Sequence, residues 1–156
     1  MNSFGFLDFD LIRYPPPTSP SIAIQGAGHR KVLVVLHGPA AADEANIDFL
    51  ENILKAAQLT PTTEQIYRLD LPKGVDFALA PCCRVLNIRD VLMFGDCRAQ
   101  LGIRAQLPPY TFTRIGEVHY LLAQELDQLR AEREQGRKQH AGALWQALKN
   151  RYLAAS

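Results

Sequence analysis

Several features that would define a class of protein are scarce or missing in this sequence of 156 residues. It has three cysteines, too few and too irregularly placed for a disulfide framework, which favours a reducing cytoplasm. No apolar run approaches the roughly 20 residues of a membrane-spanning helix, and no basic segment followed by an apolar run predicts a secretory signal. The formal net charge of +1 gives no general attraction to nucleic acid or to membranes.

What is present is the composition of a folded domain. Hydrophobic residues make up 47% of the chain and charged residues 21%, and this length can bury one sizeable core. We predict an N-terminal arm over residues 1–30 and a single α/β domain over residues 31–156. The arm holds the proline run Pro15–Pro17, and its apolar residues would dock either on the domain itself or on a protein partner. These residues are Phe4, Phe6, Phe9, Leu11 and Tyr14.

A strand–helix–strand unit between Lys31 and Leu71 is the clearest structural signal. An apolar strand, Val32–Leu36, enters a loop of small residues that begins at His37. A helix capped by Asp43 and ended by Thr60-Pro61 follows, and then a second strand, Gln65–Leu71. Alternating strands and helices predict a three-layer α/β/α sandwich with a mostly parallel central sheet.

The rest of the chain continues this pattern. Residues 90–95 predict a buried strand that ends at a glycine, and Asp96 predicts the cap of a short helix through Leu101. Tyr110–Ile115 is typical of an edge strand, whereas Phe77–Cys83 is ambiguous between a helical turn and a loop. Apolar spacing predicts a helix over residues 118–129, a break at Gly136, and a second helical stripe that reaches Tyr152.

Candidate chemistry lies where strands end, since ligands of such folds bind at the carboxyl edge of the sheet. His37 ends the first strand and could act as an acid, a base or an anion contact, although a loop histidine without a function explains it as well. Asp70 ends the second strand and Asp96 follows the third, so both could face one cleft. The loop after the first strand is not a P-loop, because no Gly-Lys-Ser/Thr follows it.

Metal binding and thiol chemistry are not expected. Cys82-Cys83 and Cys97, with His119 or His140, lack the spacing of a structural zinc site. Buried, inert thiols are the simpler interpretation. We therefore predict no metal and no cofactor.

The C-terminal segment is basic, with six arginines and lysines against two glutamates after residue 129. A solvated helix face explains this pattern, and so does a patch that meets phosphate or an acidic partner. Under the second interpretation, the DNA-binding residues would be Arg137, Lys138, Lys149 and Arg151.

Several segments, in this order, resemble the uracil-DNA glycosylase superfamily. Residues 49–54 with 66–70 are similar to that superfamily's first helix and second strand, and residues 91–95 to its third core strand. His119-Tyr120-Leu121-Leu122, followed by Lys138 and by residues 145–149, is similar to its closing motif and last helix. The superfamily's acid-containing loop is replaced by His37-Gly38-Pro39-Ala40, and its base-reading asparagine by Asp70.

Within that superfamily, the layout resembles the non-catalytic psi-subunit family of bacterial DNA polymerase III. That resemblance implies a bridging role, in which the arm binds the clamp-loader complex and the domain binds a small partner subunit. The first hypothesis is therefore a non-enzymatic adaptor of DNA replication or repair. The second is a divergent N-glycosylase with a site near His37, Asp70 and His119, and the third is a nucleotide-binding domain.

Overall fold

The structure, a computed structural model, describes residues 24–38 and 43–153. Within this part of the chain, six strands form one sheet in the order β1-β3-β2-β4-β6-β5. The four central strands run parallel, and the two edge strands pair antiparallel to their neighbours. The strands are β1 (Ile24–Gln25), β2 (Val32–His37), β3 (Ile66–Leu71), β4 (Asp90–Phe94), β5 (Thr113–Ile115) and β6 (Val118–Ala123). The predicted α/β class with a mostly parallel sheet is confirmed.

Helices cover both faces of this sheet. They are α1 (Glu44–Ala56), α2 (Thr62–Gln65), α3 (Leu79–Leu86), α4 (Arg98–Leu101), α5 (Leu126–Glu134) and α6 (Gln139–Leu148), which a π-helical turn (Lys149–Leu153) extends. Helices α1, α5 and α6 pack on one face, around residues such as Leu36 and Leu92. Helices α3 and α4 pack on the other face, around residues such as Val35 and Met93. Two apolar cores therefore hold the sheet from both sides.

The central strand β2 shows why the sequence folds this way. All six of its residues are buried, and successive side chains enter opposite cores. A strand buried on both faces has a continuous apolar run, which is what residues 32–36 provide. Further along the chain, Asp43 caps α1 as predicted, since its carboxylate accepts a hydrogen bond from the Ala45 N–H at 2.9 Å.

The predicted helix over residues 118–129 is wrong in its first half. Residues 118–123 form β6, which pairs with β4 and β5, and α5 begins only at Leu126. Leu121 and Tyr120 enter opposite cores. A strand buried on both faces is apolar at nearly every position, so its residues also satisfy a helical spacing. The break near Gly136 is confirmed, because it lies between α5 and α6.

The range predicted as an arm is only partly described. Two of its described residues join the sheet, since Ile24 and Gln25 pair with Leu69 and Arg68 of β3. The five apolar residues predicted to contact a partner, Phe4, Phe6, Phe9, Leu11 and Tyr14, lie outside the described residues. The ambiguous segment Phe77–Cys83 resolves into a loop followed by the start of α3.

Candidate functional site

The crevice between β2 and β4 is the candidate ligand site that the sheet topology indicates. From β2 the chain passes through α1 to β3 on one side, and from β3 it passes through α3 to β4 on the other side. Strand order therefore reverses between β2 and β4, which is where ligands of open α/β sheets bind. The residues at this point are His37 at the end of β2, Gly38 after it, and Gly95 and Asp96 after β4.

His37 fills this crevice instead of lining it. The residue is 8% exposed, and its Nε2 lies 2.6 Å from Oε1 of Gln100. Gln100 uses its amide nitrogen to donate to the carbonyls of Pro72 at 2.8 Å and Val75 at 2.6 Å, so its Oε1 is the acceptor and His37 carries its proton on Nε2. Nδ1 is buried without a hydrogen-bond partner in the described residues. The contact with Gln100 thus fixes the orientation of the ring.

Gly95 is what allows the imidazole to lie there. Its φ is +112°, and a Cβ at this position would lie 2.8 Å from Cβ of His37 and 3.0 Å from Cγ of Glu125. Only glycine adopts this backbone conformation without strain and leaves the required space. The crevice between β2 and β4 is therefore closed by protein atoms.

The acids near this edge are already neutralised. Asp70 accepts two hydrogen bonds from Arg68, at 2.8 and 3.0 Å, and Asp96 accepts two from Arg98, at 2.8 and 2.9 Å. The hydrogen bond from Arg98 holds the pKa of Asp96 below its usual value. Glu125 lies 3.8 Å from Nζ of Lys73. A general base needs a carboxylate directed at water or substrate, and these three are each directed at a cation.

A small depression remains beside the crevice. Its volume is about 320 Å³, and Gly38, Asp70, Pro72 and Lys73 line it. That volume is at the low end for a small-molecule site. Asp70 and His37 therefore lie at the same edge of the sheet, as predicted, but the imidazole is turned into the protein toward Gln100.

His119 lies at the opposite edge. In the sheet register it pairs with Asp90, the first residue of β4, whereas His37 pairs with Leu71, the last residue of β3. The prediction of one site containing His37, Asp70 and His119 is therefore wrong. The same register places His119 inside a strand, and not in a closing loop after one.

The amino edge holds a group that sequence reasoning missed. The Asp90 side chain is 6% exposed and accepts hydrogen bonds from Arg151 Nη2 at 2.7 Å and from the Tyr152 hydroxyl at 2.7 Å. Arg151 Nη2 also lies 3.2 Å from Nδ1 of His119. Burial and the Asp90 carboxylate raise the pKa of Tyr152 well above its ordinary value, so its hydroxyl stays a donor. An acid at the start of a fully apolar strand was the available signal, since such an acid needs a partner.

The four predicted DNA-binding residues do not form one patch. Arg137 and Lys138 are exposed in the turn between α5 and α6, whereas Lys149 and Arg151 lie beyond the other end of α6. At 1.5 Å per residue, α6 separates the two pairs by roughly 16 Å. Arg151 forms an ion pair with Asp90, and that carboxylate offsets much of its positive charge.

Comparison with known proteins does not assign this chain to a family. No family model matches the sequence, and no curated protein matches it. Among residues 24–38 and 43–153, no helix has the length and apolar character needed to cross a membrane. In the same residues, no group of three or more histidine, cysteine or acidic side chains is placed to hold a metal ion.

The thiols of Cys83 and Cys97 are buried and that of Cys82 is partly buried. Burial raises the pKa of Cys82 to about 12, of Cys83 to about 11 and of Cys97 to about 12. Because the thiolate is the reactive form, we expect alkylation by iodoacetamide near neutral pH to be at least about a hundredfold slower in the folded protein than in denaturant. Mass spectrometry of both samples measures this ratio. Native labelling of Cys82 at the denatured rate would contradict it.

Proposed function

We propose that this chain is a non-catalytic adaptor subunit in DNA replication or repair, similar in role to the psi-subunit family that its layout resembles. One observation carries the proposal. The crevice between β2 and β4, where ligands of open α/β sheets bind, contains the His37 ring packed on Gly95. Base excision needs a pocket for the flipped base and a group that activates water.

The electrostatics of the same edge support the absence of catalysis. Asp70 stands where the resemblance places the base-reading asparagine, and both of its oxygens accept hydrogen bonds from Arg68. Freeing this carboxylate for chemistry would require breaking two charge-assisted hydrogen bonds. A role in binding other proteins requires no such rearrangement.

The adaptor role is tested through the arm. We expect the full chain to bind the clamp-loader complex of the same organism, and the variant Phe4→Ser/Phe6→Ser/Phe9→Ser to bind it at least about tenfold more weakly, since aromatic side chains dominate such contacts. Biolayer interferometry with purified components measures both affinities. The variant Asp8→Asn/Asp10→Asn changes the same segment without removing an apolar group, and serves as the control.

The rival function has its own assay. The purified chain is expected to release no uracil from single- or double-stranded uracil-containing DNA. Uracil release that disappears in Asp70→Asn would overturn the adaptor proposal in favour of a divergent N-glycosylase. Equal clamp-loader affinity of the full chain and the triple serine variant would overturn the role of the arm.

A further inference from the structure

A large basic groove crosses the amino edge of the sheet, on the side opposite to the crevice. Its volume is about 1040 Å³, above the roughly 300–1,000 Å³ usual for small-molecule sites. Five of its lining residues are cationic and one is acidic, although the whole chain carries a formal charge of only +1. The cations are Lys31, Arg84, Arg89, Arg114 and Arg151, and the acid is Glu117.

Four of these cations have no carboxylate partner in the described residues. Arg114 donates from Nε to the carbonyl of Gly116 at 2.8 Å, which holds the side chain on the β5–β6 turn without neutralising it. Lys31, Arg84 and Arg89 form no ion pair in this part of the chain. The contrast with the carboxyl edge is direct, because Arg68, Lys73 and Arg98 each face an acid there.

On one side of the groove, the side chains are held in place by hydrogen bonds within the protein. Arg151 is held by Asp90 at 2.7 Å and lies 3.2 Å from His119 Nδ1, and both Arg151 and His119 line the groove. A guanidinium can only donate, so Nδ1 of His119 accepts in this contact and Nε2 is the ring nitrogen left to donate. A guanidinium anchored by a buried acid keeps its position without a ligand, which reduces the ordering cost of binding.

We infer that this groove binds the phosphate backbone of single-stranded nucleic acid. Lys31 and Arg89 directly precede the neighbouring strands β2 and β4, and Arg114 of β5 pairs with His119 of β6, so the groove's basic residues are spread across four neighbouring strands instead of surrounding one point. Such an arrangement suits successive phosphates on a strand better than a single small anion. A concave groove also suits one strand better than the convex surface of a duplex.

The groove predicts binding that is independent of base sequence. Among the residues that line the groove, Asn87 is the only one with a side-chain amide. The tyrosine that lines it, Tyr120, is only 8% exposed. Side-chain amides and exposed stacking rings would add contacts to the bases, and with so few of them the groove's cations are left to bind phosphates by charge. This inference goes beyond the adaptor role, and it concerns a different edge of the domain from the crevice.

The test uses the full chain, without partner proteins, and a fluorescein-labelled oligothymidylate of about 15 nucleotides. Fluorescence anisotropy gives the affinity between about 50 and 200 mM salt. If about four phosphates are neutralised, log K is expected to fall with log salt with a slope of about −3. The variant Arg84→Gln/Arg89→Gln/Arg114→Gln is expected to bind at least about tenfold more weakly, with a slope reduced by about 2.

The control variant Arg137→Gln/Lys138→Gln removes two exposed charges from the α5–α6 turn. We expect it to bind oligothymidylate within about twofold of the unchanged protein. Weaker binding in this variant with no change in the triple variant would overturn the groove and support the C-terminal helices instead. All three arginines of the triple variant are exposed, so we expect this variant and the unchanged protein to have equal melting curves. The single variant Arg89→Gln is expected to weaken oligothymidylate binding in the same direction but by less.

Two competitors decide the class of ligand. Poly-glutamate of similar length is expected to compete poorly, and duplex DNA of the same length to bind more weakly than the single strand. Equal competition by poly-glutamate, lost in the triple variant, would overturn the inference in favour of an acidic protein segment. No binding of oligothymidylate at low salt would overturn it outright, and would leave the clamp-loader assay unaffected.

Discussion

Replacement of Gly95 by alanine is expected to lower the free energy of unfolding by about 4 kcal/mol. Two costs combine. A φ of +112° strains any residue that has a Cβ, by about 1–3 kcal/mol. The new methyl group would also overlap Cβ of His37 and Cγ of Glu125, and relieving such overlap in a packed site costs about 1–3 kcal/mol more. Denaturant unfolding followed by circular dichroism measures the change.

Gly116 provides a matched control for Gly95. Its φ is +63°, and nothing lies within 4 Å of the position that a Cβ would occupy. Gly116→Ala therefore reports backbone strain without overlap, and we expect a loss of about 1 kcal/mol. If the two variants lost equal stability, the His37 side chain would not be packed on Gly95, and the crevice would be open.

The second large effect is expected at Asp90. Asp90→Ala should lower the free energy of unfolding by about 3 kcal/mol, because it removes the acceptor of the Arg151 guanidinium and of the buried Tyr152 hydroxyl. The figure is below that of a fully buried ion pair, since the Arg151 side chain is 32% exposed and water replaces part of the lost interaction. Thermal and denaturant unfolding both report it.

Two further variants separate the parts of this effect. Asp76 is exposed in the loop before α3, and Asp76→Ala is expected to change stability by no more than about 0.5 kcal/mol. Tyr152→Phe removes one hydrogen bond and leaves the ion pair, so a loss of about 1 kcal/mol is expected. An Asp90→Ala protein as stable as Asp76→Ala would show that the Asp90–Arg151–Tyr152 contacts contribute nothing.

Much of the sheet could be predicted from local patterns. Strands β2 and β4 are short apolar runs that are bounded by polar or glycine residues, and Asp43 marks the start of α1 by its side-chain chemistry. These signals depend on neighbours in sequence, so they are readable without the fold. Residues 118–123 were predicted as helix because a strand buried on both faces carries no alternation to distinguish it.

The candidate site depends on contacts between distant parts of the chain. His37 meets Gln100 across 63 positions, and Arg151 meets Asp90 across 61 positions. No local pattern encodes these pairs, and the prediction that His37, Asp70 and His119 would converge failed because the register sets His119 at the other edge. The glycosylase and psi-subunit resemblance stays a prediction, which the clamp-loader and uracil assays test.

The long separation between Asp90 and Arg151 has a consequence during synthesis. At about 5–20 residues per second, a ribosome needs roughly 3–12 s after adding Asp90 before it adds Arg151. During that interval the nascent chain carries Asp90 at the start of an apolar strand, whereas its partner Arg151 has not yet been synthesised. Over the same interval α6 is incomplete, so the apolar cover that Leu144 and Leu148 add to one face of the sheet is not yet in place. A chaperone that binds exposed apolar segments would find its substrate in the partly translated chain, and lose it when the last helix docks.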